Sequence, residues 1–149
     1  MTIIEIKNLL LYYKLSEAEL EDLIKKYPDI FDWKIASHFQ TLSEKFILKY
    51  QNKVNWTLIS HYQNLSESFI EKYQDKIDWF CIGTHQKLSE KFIEKHKDKI
   101  EWNRISCHQK LSPKFIVKHI DKITKLIFEN KHYKNLPENI QLLLRLKVK

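Results

Sequence analysis

Four tryptophans, Trp33, Trp56, Trp79 and Trp102, follow one another at intervals of 23 residues. Leu42, Leu65, Leu88 and Leu111 keep the same interval, as do Gln40, Gln63, Gln86 and Gln109, and then Ser43, Ser66, Ser89 and Ser112. Phe46, Phe69, Phe92 and Phe115 follow it too, each with Ile after it. The consensus reads W-x-x-I-S-x-x-Q-x-L-S-E-K-F-I-x-K-Y-x-D-K-I-D and closes on the next Trp. A fixed period of this length marks a stacked-repeat architecture, in which each unit buries its apolar face against its neighbours.

Within a unit the capping chemistry sets the helices. Ser66 is a good N-cap, and Leu65 before it is placed to staple onto Ile70. Pro113, after Leu111-Ser112, falls at the first helical position, where its missing N–H and fixed φ do no harm. Asp32, Asn55 and Asp78 start a second helix in the same way, with Phe31, Val54 and Ile77 as staples. The spacing predicts first helices near 44–51, 67–74, 90–97 and 113–120, and second helices near 33–39, 56–62, 79–86 and 102–109. The expected fold is all-α, a small α-solenoid of short helix pairs of period 23 with capping helices at both ends. It is read as one domain: an N-terminal cap over 1–19, repeats over 20–124, and a degenerate repeat with a C-terminal cap over 125–149. Ser16 to Tyr27 resembles a longer first helix, Ile3 to Tyr13 an apolar cap, and Leu136-Pro137-Glu138 a displaced start for a helix over Gln141 to Leu146.

Composition removes several functions. The single glycine, Gly83, leaves no Gly-rich phosphate cradle and no dinucleotide fingerprint, and disfavours hairpin-rich β folds. Cys81 and Cys107 form no CxxC pair, so neither a zinc site nor a disulfide framework is expected. The N-terminus lacks the features of a secretion signal and no run of 18 apolar residues occurs, so the expected location is the cytoplasm.

Tandem units of the form W-x-x-I-S-x-x-Q-x-L-S-E-x-F-I resemble repeats found in proteins of bacteriophages and large DNA viruses, over roughly residues 20 to 124. The resemblance implies a viral protein acting in the host cytosol. It carries no catalytic motif.

The Trp and Phe rows are read as core rather than as a ligand-stacking box, because packing accounts for every copy at once. The Gln row lies just after the second helix, where side-chain amides can satisfy open backbone groups and stack as a ladder. The functional alternative is base reading, one base per repeat, with Tyr62 and Gln63, His85 and Gln86, and His108 and Gln109 as the residue types required. His38, His61, His85 and His108 with Cys107 suggest a metal by type, but two of the four histidines stand one place later in the repeat, so no metal is assigned. No catalytic residue and no cofactor is assigned either.

Charge is distributed unevenly. Residues 1–32 hold 4 basic and 7 acidic side chains, residues 33–109 hold 12 and 9, and residues 110–149 hold 10 and 3. Lysines at spacing four line the first helices, Lys95 and Lys99, then Lys114, Lys118 and Lys122, with Lys125, Lys131, Lys134 and Arg145 beyond them. Asp75, Asp98 and Asp121 follow Lys72, Lys95 and Lys118 by three residues, the pattern of a salt-bridged surface. The reading is a non-enzymatic binding module that docks on a protein or ribonucleoprotein partner. In the viral setting it would inhibit a host nucleic-acid-targeting defence complex, an anti-CRISPR-like role. The alternative is direct, sequence-tolerant binding of RNA or single-stranded DNA by the basic C-terminal face. No membrane partner is expected.

Overall fold

A computed structural model describes residues 1–148, and among them there are helices and turns but no strand. The chain forms two compact units, Met1–Asp78 and Trp79–Lys149. The first holds α1 (Ile3–Tyr12), α2 (Glu17–Lys26), α3 (Trp33–Phe39), α4 (Glu44–Lys49), α5 (Trp56–Tyr62) and α6 (Glu67–Lys72). The second holds α7 (Trp79–His85), α8 (Glu90–Lys95), α9 (Trp102–His108), α10 (Pro113–Lys118), two 3-10 turns (Lys125–Glu129 and Tyr133–Asn135) and α11 (Glu138–Lys147). The helix-pair repeat of period 23 is present in both. In the first unit α3 packs between α1 and α5, and in the second α9 packs between α7 and the turn Lys125–Glu129. No helix among the described residues is long and apolar enough to cross a membrane.

The caps explain the consensus. Ser43, Ser66, Ser89 and Ser112 each accept a hydrogen bond from the N–H three residues on, at 3.1–3.2 Å. In α1 and α2, Thr2 and Ser16 form capping boxes with Glu5 and Glu19. The repeats have Phe at that third position, so the box is closed from outside. Glu17, Glu44 and Glu90, at the first position of one first helix, accept from the N–H of Ser43, Ser66 and Ser112, the N-caps of the next. The recurring Leu-Ser-Glu is therefore a capping device that ties one repeat to the following one.

Helices of six or seven residues span about 10 Å and are unstable alone. Packing holds them. Ile47 and Ile70 in the first unit, and Ile93 and Ile116 in the second, are buried at the same repeat position, as are Ile59, Ile82 and Ile105 on the second helices. Each such Ile contributes about 1.5–3 kcal/mol relative to exposure.

The first helices stop two residues earlier than expected, at Lys49, Lys72, Lys95 and Lys118. The next residue, Tyr50, Tyr73, His96 or His119, leaves the helix with ψ between 21° and 28°. Its ring then packs against the Phe four residues earlier, 4.4–4.8 Å between centroids. The second helices in the second unit end at His85 and His108, one residue early, because Gln86 and Gln109 turn inward. The helix expected over Gln141 to Leu146 extends from Glu138 to Lys147.

The tryptophans are half-buried. Trp79 lies 6.3 Å from Phe92 and 5.1 Å from His96, while Lys99 sits 5.9 Å from its ring. Trp102 repeats this with Phe115, His119 and Lys122. In the first unit Trp56 does so with Phe69, Tyr73 and Lys76, and its Nε1–H donates to the Gln51 carbonyl at 2.9 Å. Each of these three rings thus roofs the core with its inner part and supports a lysine near its face.

Candidate anion-binding groove

The chain leaves each second helix through a loop that needs hydrogen-bond partners, and the Gln row supplies them. Gln109 donates to the carbonyls of Gly83 at 2.9 Å and Gln86 at 2.8 Å, and its Oε1 accepts from Leu88 N–H at 3.1 Å. Gln63 does the same with Ser37, Gln40 and Leu42, and Gln40 with Leu10, Tyr13 and Leu15. The expected amide ladder is formed. It has a further rung absent from the sequence reading: Asn130 donates to Ser106 and Gln109 carbonyls at 2.7 and 2.8 Å. Asn130 lies 21 residues after Gln109, outside the 23-residue register.

In the second unit the ladder holds three successive loops side by side. They carry His85 with Lys87, His108 with Lys110, and Lys131 with His132, and these six side chains line one open cavity of about 710 Å³. Thr84 and Cys107 contribute to its wall, and Glu129 is its one acidic residue. A second cavity of about 620 Å³ shares Leu88, Lys110 and His132 with the first and extends it past Ser112 to Leu136. Its acid, Glu90, already accepts from the N–H and hydroxyl of Ser112. Lys87, Lys110 and Lys131 have no carboxylate within ion-pair distance among the described residues. Three uncompensated cations on a concave wall concentrate positive potential there.

The residues singled out in the sequence divide around this groove. His85, His108 and Lys131 are brought together in it, with Gln86 and Gln109 in its wall but buried, 6% and 4% exposed. Gln63 is equally buried, and its amide and that of Gln109 are fully engaged with backbone, so neither presents an edge that could read a base. Tyr62 is exposed in the first unit, stacked 3.9 Å from His38 and tilted against His61 at 4.0 Å, with Phe39 stacked on His38 at 3.9 Å.

The lysine stripe lies elsewhere. Lys95 and Lys114 are exposed on α8 and α10. Lys99 and Lys122 sit over Trp79 and Trp102. Lys118 pairs with Glu94 at 2.8 Å, and His119 meets the same carboxylate at 2.6 Å. Hydrogen bonds from Lys118 and then His119 lower the Glu94 carboxyl to about 2. Lys125 and Lys134 are exposed on the two 3-10 turns, and Arg145 on α11 donates to the Tyr133 hydroxyl at 3.3 Å.

Lys87, Lys110 and His132 escaped the sequence reading. The signal was present in the x of Q-x-L, which reads Thr41, Asn64, Lys87 and Lys110, so that loop becomes cationic only in the last two copies. Among the described residues no three of His, Cys, Asp and Glu come together as a metal ion would require. Comparison of the chain with known protein families, with curated proteins and with solved structures finds no match.

Proposed function

We propose that the chain is a non-enzymatic binding module that docks on a ribonucleoprotein, with the groove of the second unit taking the phosphate backbone of the nucleic acid. The observation that carries this reading is the meeting of Lys87, Lys110 and Lys131 on three loops around one cavity, with Glu129 as its single acid. Lysines that neutralise phosphates release counterions, and such contacts hold a strand without reading its sequence. The engaged amides of Gln63 and Gln109 favour this sequence-tolerant mode over base reading. The exposed, stacked Phe39 and Tyr62 of the first unit favour a second contact with the protein part of the partner, since aromatic anchors dominate protein interfaces. The repeat resemblance supports the narrower role of a phage or viral inhibitor seated on a host nucleic-acid-targeting defence complex.

Fluorescence anisotropy with a labelled single-stranded RNA of about 20 nucleotides tests the groove. Three phosphate contacts predict binding that weakens with salt at a log–log slope of about −2. No binding at micromolar protein in low salt would discard nucleic acid as the ligand and leave a purely protein partner.

A further inference from the structure

The period makes each position a comparison among copies, and three departures from it coincide in one place. Where the other second helices carry Ser37, Ser60 and Ser106, α7 has Gly83. Where they carry Ile35, Leu58 and Cys81, α9 has Arg104, and where they carry Lys34, Thr57 and Asn103, α7 has Phe80. The Arg104 guanidinium lies 4.4 Å from the centre of the Phe80 ring. A Cβ on Gly83 would stand 3.1 Å from the Cβ of Arg104. The glycine thus gives a clearance at the root of the arginine stem, where a Cβ would be tighter than an ordinary contact.

That clearance weakens the fold. The hydroxyls of Ser37, Ser60 and Ser106 accept from the backbone N–H of Asn55, Asp78 and Thr124. Gly83 offers no such acceptor to Glu101, and glycine inside a helix is less favourable than any residue but proline. Three departures that meet at one place, one of them costing stability, are the pattern of a site kept for a ligand.

The position of the site points to which ligand. Phe80 lies four residues before Thr84 and Arg104 four before His108, and Thr84 and His108 both line the groove. Residues four apart share a helix face, so the pair sits one turn, about 6 Å, from the groove wall. Phe80 is 49% exposed, and Arg104 has no ion pair or hydrogen bond from its guanidinium among the described residues. The guanidinium is held over the ring while its N–H groups have no partner among the described residues, a fork matched to two oxygens of a phosphate. We propose that Arg104, held over Phe80, is a phosphate contact for the same strand that occupies the groove, one helical turn along the α7 and α9 surface. This rests on the groove reading above and adds to it an arginine that no charge stripe reveals.

The test titrates a labelled single-stranded oligo(U) RNA, and in parallel labelled poly-glutamate, with the full chain as wild type, Lys110→Glu, Arg104→Leu, Arg104→Lys and the double variant Gly83→Ser with Arg104→Leu, with thermal melts of each. Leucine and serine already stand at these positions in other copies, so the double variant restores the repeat and keeps the fold testable. Arg104→Leu is expected to weaken RNA binding about tenfold and to reduce the salt slope by about 0.7. Arg104→Lys, which keeps the charge and loses the fork, recovers about a third of that affinity. The double variant is expected to melt cooperatively, as a folded chain, while binding as weakly as Arg104→Leu. If wild type binds, Lys110→Glu abolishes binding, and Arg104→Leu keeps wild-type affinity and slope, Arg104 is not a contact and the groove reading stands alone. If wild type ignores the RNA and binds poly-glutamate instead, the groove reading fails and takes this proposal with it.

Discussion

The side-chain amide of Gln109 donates to the backbone carbonyl of Gln86, 2.8 Å away and one full repeat earlier in the chain. The same amide reaches Gly83, and its oxygen accepts from Leu88, so one side chain satisfies three backbone groups of the preceding loop. Gln109→Leu keeps the volume and leaves those groups buried without partners. Each such group costs about 1–3 kcal/mol. The expected destabilisation is on the order of 3 kcal/mol by denaturant unfolding, with loss of RNA binding even where the protein remains folded. Gln109→Glu should be worse, since a carboxylate oxygen would face the two carbonyls now receiving N–H donors.

Trp79 tests how much the roof of the core contributes. Its ring packs on Phe92 and His96 and is only partly buried. Trp79→Ala is expected to lower stability by about 3 kcal/mol, the low end for large aromatic-to-Ala changes. A mutant with an unchanged thermal midpoint would show the ring to be a surface element.

Glu94 makes an acid-dependent contribution to stability. Its folded carboxyl is lowered from 4.5 to about 2 by hydrogen bonds from Lys118 and His119. A depressed carboxylate stabilises the fold fully above its unfolded value and loses that contribution as pH falls toward the folded one. Stability should therefore decline between about pH 4.5 and pH 2, and Glu94→Gln should flatten that part of the curve in thermal melts across pH. An unchanged slope in the mutant would assign the acid loss to other carboxylates.

Much of the fold could be read because its determinants are local. Ser66, Asn55 and Pro113 announce helix starts by their own chemistry, and the Ile and Leu rows follow from period alone. What escaped depends on contacts across repeats. Lys118 was matched with Asp121 by spacing along its helix, yet its partner is Glu94, 24 residues earlier. Asn130 takes the next place in the amide ladder from outside the register, because the chain after Ile123 turns in 3-10 geometry. The candidate site was half legible: His85, His108 and Lys131 were named, whereas Lys87 and Lys110 sit in loops, where a search for helical charge stripes does not reach.

Charge reversal on two surfaces of the second unit tests the central claim most directly. One variant replaces Lys87, Lys110 and Lys131 by Glu, and the other replaces Lys114, Lys118 and Lys122, of which Lys118 is already paired with Glu94 and Lys122 lies over Trp102. Both change the net charge equally, so non-specific attraction falls alike. With both folded by circular dichroism, the groove variant should lose single-stranded RNA binding entirely, while the helix variant should retain affinity within about tenfold of wild type. Retained binding in the groove variant together with loss in the helix variant would contradict the account and move the contact to the first helices.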